Sequence, residues 1–305
     1  MSKFLTIDNT TKTTIESHAS NGDVYFNTDS NELWVWDTTL STPDWRKYTS
    51  SGLANSFLNE FSTSFNAVYD YLNVTASSAT VESISFWFKP QAQVSNGSGS
   101  QGLIGISGSS FNFEPGLGGM TGPATLHSDA PILGFSKSTQ GTFAVPGVNG
   151  MPNSINSTWH HFFAHWTTSL SINNGLAGYE IYFDGARVTG DYSGTPTKFS
   201  FNATSKLGVR GNGSKPFLGH MDEIAVWDTD ASSEIASIYN SGTGPANLMN
   251  LTNKPLHWWR MGDLAGVGDG GTLTTVTDIG TANGTASQAD ATAQSNTTTA
   301  STDTP

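Results

Sequence analysis

The sequence predicts an all-β protein built as an antiparallel sandwich of two sheets. Short apolar runs alternate with polar, glycine-rich connections along most of the chain, a rhythm typical of sandwiches rather than of alternating strands and helices. Charged residues make up 12% of the chain, so neutral polar residues fill the connections. A chain of 305 residues is long enough for one large β domain with accessory segments.

The first predicted element is a hairpin, with two short strands joined by a polar turn within residues 24–36. Both faces of its second strand are apolar, and Trp34 and Trp36 share one of them. A lone hairpin cannot bury two faces, so we expect these indoles to contact the main domain or another subunit. We interpret residues 1–52 as an attachment or oligomerisation segment.

A series of strands with polar connections follows from about residue 60. In the strand over 83–89, alternation assigns Ile84, Phe86 and Phe88 to one face, which we expect to line the core. The predicted strands cover 65–74, 83–89, 103–107, 132–136, 159–167, 179–183, 206–210 and 221–227.

One segment has helical periodicity. Ser232 is its predicted N-cap, Ile235, Ile238 and Tyr239 recur at helical spacing, and Gly242 is the predicted stop. We expect this short helix to cover one edge or end of the sandwich.

The C-terminal extension, residues 246–305, contains the adjacent indoles Trp258 and Trp259. Either one of them faces the sandwich and the other a partner chain, or both seal the extension. From about residue 281 onward the composition is that of a disordered segment, rich in Thr, Ala, Ser and Asn. Order there would require packing in an oligomer or a larger assembly.

Charge and composition exclude several function classes. Lys and Arg number 13 against 25 Asp and Glu, a net charge of −12, so we expect no nucleic-acid binding. No apolar run is long enough to insert into a membrane, and the first residues lack the apolar core of a signal peptide. We therefore expect synthesis in the cytoplasm. The absence of cysteine excludes disulfides and thiolate chemistry.

Four separated segments together resemble the laminin-G-like, concanavalin A-like jelly-roll family. They are residues 64–72, the SISFWFKP strand at 83–90, the TWHH and EIYFDG segments between 158 and 185, and GHMDEIAVW at 219–227. Their order and spacing agree with that family over about residues 60–242. The resemblance implies an antiparallel two-sheet jelly roll, which we place at residues 53–245.

The flanking segments resemble parts of bacteriophage proteins. Residues 22–37 together with 45–48 are similar to a short β module near the start of tail-fibre and other virion proteins. Residues 238–242, followed by WWRMGD at 258–263, are similar to the C-terminal extension of laminin-G-like phage proteins. The resemblance implies a virion structural protein, as tail fibre, appendage or head decoration, made in the host cytoplasm. We expect a homo-oligomer, a trimer in the case of a fibre, whose partners are other virion proteins and a host-surface glycan.

Two alternatives to the virion protein are a free-standing lectin-like module or adhesin and a polysaccharide hydrolase. Related hydrolases carry a Glu-x-Asp-x-x-Glu array on one strand, and nothing here matches it. Glu180 and Asp184 share a face, but Asp184 belongs to an Asp-Gly turn. Asp222 and Glu223 are adjacent in a strand and should point to opposite faces. We therefore expect no catalytic residues and no enzymatic activity.

The family resemblance also implies a calcium site on the closing strand. Asp222 is the matching position, and Asp70 is a second candidate; a structural Asp222 that caps backbone amides is the alternative. His161 and His165 do not form a zinc pair, because in a strand they lie about 13 Å apart.

Overall fold

The computed structural model describes most of the region after residue 58 and short parts of the region before it. The described residues are 4–7, 23–27, 32–37, 44–48, 59–67, 69–75, 79–92, 101–106, 109–114, 132–137, 140–144, 155–168, 177–188, 190–193, 198–211, 213–263 and 265–305. The chain divides into two compact units, Met1–Leu58 and Asn59–Pro305. The extension predicted at 246–305 therefore belongs to the second unit.

The first unit contains a four-stranded sheet in the order β1-β2-β3-β4. The predicted hairpin is present as β2 and β3, whose registers pair Tyr25 with Trp34. Two further strands enlarge it, because β1 runs parallel to β2 and β4 runs antiparallel to β3. The strands are β1 (Phe4–Ile7), β2 (Val24–Asn27), β3 (Glu32–Asp37) and β4 (Asp44–Tyr48).

One sheet of the second unit has eight strands among the described residues, in the order β15-β14-β13-β8-β19-β5-β23, with β20 also paired to β19. Its strands pair antiparallel throughout the described residues. The strands are β5 (Ser62–Phe65), β8 (Ser83–Pro90), β13 (His160–Thr167), β14 (Gly178–Phe183), β15 (Ala186–Val188), β19 (Gly219–Trp227), β20 (His257–Trp259) and β23 (Thr299–Ser301).

The other sheet has nine strands within the described ranges, in the order β16-β12-β11-β10-β9-β18-β6-β22-β21. They are β6 (Leu72–Val74), β9 (Gln101–Ile106), β10 (Ser109–Glu114), β11 (Ile132–Lys137), β12 (Gln140–Ala144), β16 (Gly190–Ser193), β18 (Lys206–Leu207), β21 (Thr275–Val276) and β22 (Ala291–Ala293). A separate short pair joins β7 (Ala79–Thr80) to β17 (Ser200–Phe201). The predicted two-sheet antiparallel sandwich is confirmed.

The core lies between the two sheets and follows the predicted alternation. Ile84, Phe86 and Phe88 of β8 are fully buried, and Phe86 stacks on Phe162 of β13 with ring centroids 4.9 Å apart. Trp259 of the extension belongs to the same buried cluster. The apolar area that these rings remove from water is the main stabilising contribution of the sandwich.

The predicted helix is present as a 3₁₀ turn, Ser232–Glu234, followed by α1 (Ile235–Tyr239). Its predicted ends are wrong by a residue or more. Ala231 and not Ser232 is the N-cap of the 3₁₀ turn, and α1 ends on left-handed Asn240 rather than on Gly242. Further 3₁₀ turns cover Asn240–Gly242 and Leu248–Asn250.

The C-terminal extension is part of the sandwich, and the expectation of disorder after residue 281 is wrong. β22 pairs with β6 in the nine-stranded sheet, and β23 pairs with β5 in the eight-stranded sheet. The backbone of this polar segment is therefore satisfied by sheet hydrogen bonds within its own chain. Among the described residues, no helix is long and apolar enough to cross a membrane.

Candidate functional site

The outer face of the eight-stranded sheet carries most of the polar candidates. Because Ile84, Phe86 and Phe88 face the core, the alternate residues of β8 face outward. The middle of this face is covered by α1, whose Tyr239 ring stacks on Trp87 at a centroid distance of 5.9 Å. The helix therefore packs on the face of the sheet rather than on the edge or end where we expected it.

Ser85 and His161 form a buried pair beneath this cover. Ser85 Oγ lies 2.8 Å from His161 Nε2, and both residues are buried. Burial lowers the pKa of His161 to about 3, although the charge of Asp184 opposes that shift. His161 Nδ1 has no hydrogen-bond partner within the described part of the chain. A serine nucleophile needs an accessible hydroxyl and an oriented base, and this pair provides neither.

Asp184 holds the turn between β14 and β15 instead of orienting that base. Its carboxylate accepts hydrogen bonds from the His161 backbone N, at 2.8 Å, and from His160 Nδ1, at 2.9 Å. Its own backbone is left-handed, with φ of 47°, as an Asp-Gly turn requires.

Asp222 and Glu223 do not point to opposite faces, and that expectation is wrong. The register of β19 shifts between Asp222 and Ala225, and Glu223 has a φ of 49°. This β-bulge interrupts the alternation, so Glu223 lies beside Ser85 and Trp87 on the outer face. Both carboxylates are nevertheless buried, and neither is open to a substrate.

The partners of the two carboxylates differ. Glu223 accepts hydrogen bonds from Trp258 Nε1 at 2.5 Å and from Arg260 Nε at 3.2 Å. Burial still raises its pKa to about 8. Burial, and next the charge of Glu223, raise the pKa of Asp222 well above its usual range. Its oxygens accept from Asn59 Nδ2 and from the Glu223 backbone N, both at 2.9 Å, so Asp222 caps a backbone amide.

The two calcium candidates fit a cation differently. Both carboxylate oxygens of Asp70 already accept hydrogen bonds from within the chain. One accepts from the Asn66 and Ala67 amides at 2.8 Å, and the other accepts from the hydroxyls of Ser295 and Thr297. Asp222 accepts from the amide nitrogen of Asn59, and the oxygen of that amide, Asn59 Oδ1, is buried and without a partner among the described residues. The described part of the chain brings no three His, Asp or Glu side chains together as ligands.

The four predicted interface indoles fall into two groups. Trp258 and Trp259 are buried within their own chain, and Trp259 Nε1 donates to Ala289 O at 2.7 Å. Neither indole is exposed to a partner chain. The expectation that one of them contacts a partner is wrong, and both pack within the extension, as the alternative proposed. The side chains of Trp34 and Trp36 lie outside the described residues.

A polar cluster lies at the end of the outer face that α1 leaves open, and the exposed fraction of its side chains runs from 9% for His165 to 56% for Asp230. We call it the rim cluster; it comprises His165, Glu180, Tyr182, Arg187 and Asp230. Glu180 is its centre, since it accepts from Tyr182 Oη at 3.0 Å, lies 3.1 Å from His165 Nε2 and pairs with Arg187. Asp230 lies 3.4 Å from His165 Nδ1 on the other side.

The electrostatics of the rim cluster keep Glu180 ionised and Tyr182 protonated. Burial alone would raise the pKa of Glu180, but hydrogen bonds from His165, Tyr182 and Arg187 outweigh it and lower that pKa. Burial and the adjacent Glu180 charge raise the pKa of Tyr182 to about 12. Alternation in the sequence placed Glu180 and Asp184 on one face, but it did not show that Arg187 contacts Glu180 from across the Asp184 turn.

A model of the Laminin_G_3 family, described as the concanavalin A-like lectin/glucanases superfamily, matches residues 65–236. Among solved structures, domain 4 of AbnA, a GH43 extracellular arabinanase from Geobacillus stearothermophilus in complex with arabinotriose, is 17% identical. The match covers 50% of this chain and 63% of that one, with a TM-score of 0.30. The chain thus spans less than two thirds of that structure.

A second solved structure, a mutant of the alginate lyase Aly36B in complex with alginate trisaccharide, is 12% identical. The match covers 62% of this chain and 94% of that one, with a TM-score of 0.23. No curated protein sequence matches significantly.

Proposed function

The chain belongs to the concanavalin A-like lectin/glucanases superfamily, and we propose that its sandwich binds glycans without catalysis, as part of a virion surface protein. The observation that carries glycan binding is the rim cluster. The carboxylate of Glu180 lies between the hydroxyl of a half-buried Tyr182 and the guanidinium of Arg187. Such a group offers an aromatic face for a sugar ring together with acceptors and donors for its hydroxyls.

The absence of catalysis in this proposal rests on how the other acidic side chains are used. Asp70, Asp222 and Glu223 are buried and accept hydrogen bonds from within the chain. Within the rim cluster, Glu180 is held ionised by three donors, which does not suit it to act as a general acid. A glycosidase needs one carboxyl group of each role facing a common bond.

The test is glycan-array screening of the whole chain, followed by titration of the best glycan into variants. Tyr182→Ala should weaken binding by about tenfold or more, equivalent to about 1.4 kcal/mol. Tyr69→Ala is the matched control, because Tyr69 is 72% exposed and lies away from the rim cluster. An equal loss in both variants, or no binding of any glycan by the wild type, would refute the proposal. Turnover of a bound polysaccharide would contradict its non-catalytic part.

The virion setting is supported by the resemblance of residues 22–37 and 258–263 to phage proteins. We propose that residues 1–52 attach or oligomerise the chain through the strand that carries Trp34 and Trp36, with a trimer as the assembly. Light scattering coupled to gel filtration tests this. Deletion of residues 1–50 should convert the oligomer to monomers, whereas an unchanged oligomer would reject it. A wild-type monomer would favour a free-standing lectin-like module or adhesin.

Calcium is part of the proposal at Asp222 and not at Asp70. The unpartnered Asn59 Oδ1 and the buried Asp222 carboxylate are oxygen ligands of the kind that calcium prefers. A bound cation would stabilise the ionised carboxylate that burial otherwise disfavours. Calcium should therefore raise the melting temperature of the wild type relative to chelator, and Asp222→Asn should abolish that difference. No calcium effect on the wild type would rule the site out.

A further inference from the structure

A second polar cluster lies at the opposite end of the same outer face from the rim cluster. It comprises Lys89 of β8, His220 of β19 and Trp159 just before β13. The Cα atoms of Lys89 and His220 are register partners, and the rings of Trp159 and His220 lie 6.2 Å apart. Trp159 and His165 are six residues apart along an extended chain, about 20 Å, so the two clusters are separate.

All three side chains of this cluster are directed at one carboxylate from the C-terminal extension. Asp303 Oδ1 accepts a hydrogen bond from Trp159 Nε1 at 2.9 Å, and Asp303 Oδ2 accepts one from Lys89 Nζ at 2.5 Å. His220 Nε2 lies 4.0 Å from Asp303 Oδ2. An ammonium, an indole N–H and an imidazole thus surround one carboxylate in a chain whose net charge is −12.

Asp303 reaches this cluster on a short segment that follows β23. Its backbone is anchored by Ser62 Oγ, which donates to Asp303 O at 2.7 Å. The neighbouring Thr302 N donates to Asp269 Oδ1 at 3.0 Å in an exposed contact. The Asp303 side chain is 37% exposed and that of Lys89 is 27% exposed. Displacing this carboxylate breaks few contacts and leaves the sandwich strands in place.

We propose that Lys89, Trp159 and His220 form a binding site for a carboxylate-bearing sugar, a uronate, which Asp303 occupies in the unliganded chain. The carboxylate of the sugar replaces that of Asp303 between Lys89 Nζ and Trp159 Nε1, and its ring lies against the partly exposed indole. A neutral sugar can accept a hydrogen bond from the Lys89 ammonium through a hydroxyl, but it has no negative charge to replace that of Asp303. The site therefore discriminates by charge.

Competition by Asp303 weakens binding in the wild type, because a tethered carboxylate is present at a high effective concentration. Removing that carboxylate should therefore increase the apparent affinity for glucuronate by about tenfold or more. Hydrogen bonds from Lys89 and Trp159 outweigh burial and lower the pKa of Asp303, so at neutral pH the competing group is the charged carboxylate.

The experiment follows the indole N–H resonance of Trp159, assigned with Trp159→Phe, during titration of glucuronate, acetate and glucose. Asp303→Ala should bind glucuronate more tightly than the wild type does, acetate more weakly than glucuronate, and glucose not at all. Lys89→Met in the Asp303→Ala background should remove glucuronate binding. Asp303→Asn is the second variant, since its amide oxygen still accepts from Trp159 while the charge is gone; it should show the same order of ligands.

Several results would overturn the proposal. If both Asp303 variants remain folded and bind glucuronate no better than the wild type, the contact serves only to fix the C-terminal segment. Equal affinities for acetate and glucuronate would show that the site recognises a carboxylate and not a sugar. An equal affinity for glucose would show that the carboxylate is not recognised. Tyr182→Ala should leave glucuronate binding unchanged, so this site and the rim cluster succeed or fail independently.

Discussion

Replacing Asp278 by alanine should destabilise the sandwich through its C-terminal extension, by an amount that the structure allows us to estimate. The Asp278 carboxylate is fully buried and accepts four hydrogen bonds. His257 Nδ1 donates at 2.7 Å, and the amides of Trp258, Gly280 and Ala289 donate at 2.9, 3.0 and 3.0 Å. The carboxylate thereby joins β20 to the segment that leads to β22.

Alanine would leave three backbone N–H groups and one imidazole N–H buried without an acceptor. Each lost bond costs about 1 kcal/mol net. Four lost bonds therefore give a loss of about 4 kcal/mol in the free energy of unfolding. Asp278→Asn should lose less, because its amide oxygen can still accept from two of the backbone amides.

Urea unfolding monitored by tryptophan fluorescence and circular dichroism measures this loss, since two buried indoles lie in the extension. Asp269→Ala is the control, because Asp269 is exposed and accepts one hydrogen bond, from Thr302 N; it should change the free energy of unfolding by less than about 1 kcal/mol. If Asp278→Ala costs no more than Asp269→Ala, the extension is not part of the cooperative sandwich, and the reasoning fails.

Three further perturbations follow from the same structure. Gly208→Ala should lower the free energy of unfolding by about 2 to 4 kcal/mol, because Gly208 has a φ of +85° and a Cβ would lie 2.6 Å from Phe65 Cε1. Gly213 also has a positive φ, +77°, but a Cβ there would meet open space. Gly213→Ala should therefore lower the free energy of unfolding markedly less in the same urea assay. Burial would raise the pKa values of Asp70 and Asp278, but hydrogen bonds outweigh it and lower both below 3.8. The two carboxylates therefore stabilise the fold above pH 3.8, and that contribution is lost as the pH falls through their folded-state pKa values. Asp70→Asn should make the free energy of unfolding depend less on pH in acid, and an unchanged dependence would contradict this. Burial raises the pKa of Glu223 from 4.5 to about 8. The contribution of its protonated carboxyl group to stability is therefore present below pH 4.5 and is lost as the pH rises through about 8. Glu223→Gln should reduce the fall in the free energy of unfolding between pH 5 and 8, and a steeper fall would contradict the raised pKa.

The main sandwich could be predicted from the sequence because its strands follow a period of two with little interruption. Ile84, Phe86 and Phe88 are buried as the alternation predicts, and the family match over residues 65–236 agrees with the motifs that predicted it. The prediction failed at Asp222 and Glu223, where a bulge places both carboxylates on one face. Nothing local in the sequence marks that bulge, since Glu223 is not a glycine and adopts a positive φ through its surroundings.

The candidate sites could be predicted only in part, because each joins residues from distant strands. Alternation placed Glu180 and Asp184 on one face, but the partners of Glu180, Arg187 and His165, depend on the pairing of β14 with β13 and β15. The contact of Asp303 with Lys89 spans 214 residues, and no periodicity reports such a separation. Sequence patterns assign residues to faces, whereas the sites arise from the order of strands within the sheet.

The C-terminal extension shows why composition misjudged order. Its strands are short and rich in Thr, Ala and Ser, and they could not form a core of their own. They do not need one, because β5 and β6 each present an edge of an already packed sheet, and β23 and β22 pair with those edges. Small side chains such as Ala289, Ala291 and Ala300 are then fully buried against the sandwich. A segment that covers two sheet edges draws its stability from the sheets, so its order depends on the strands beside it and not on its own hydrophobicity.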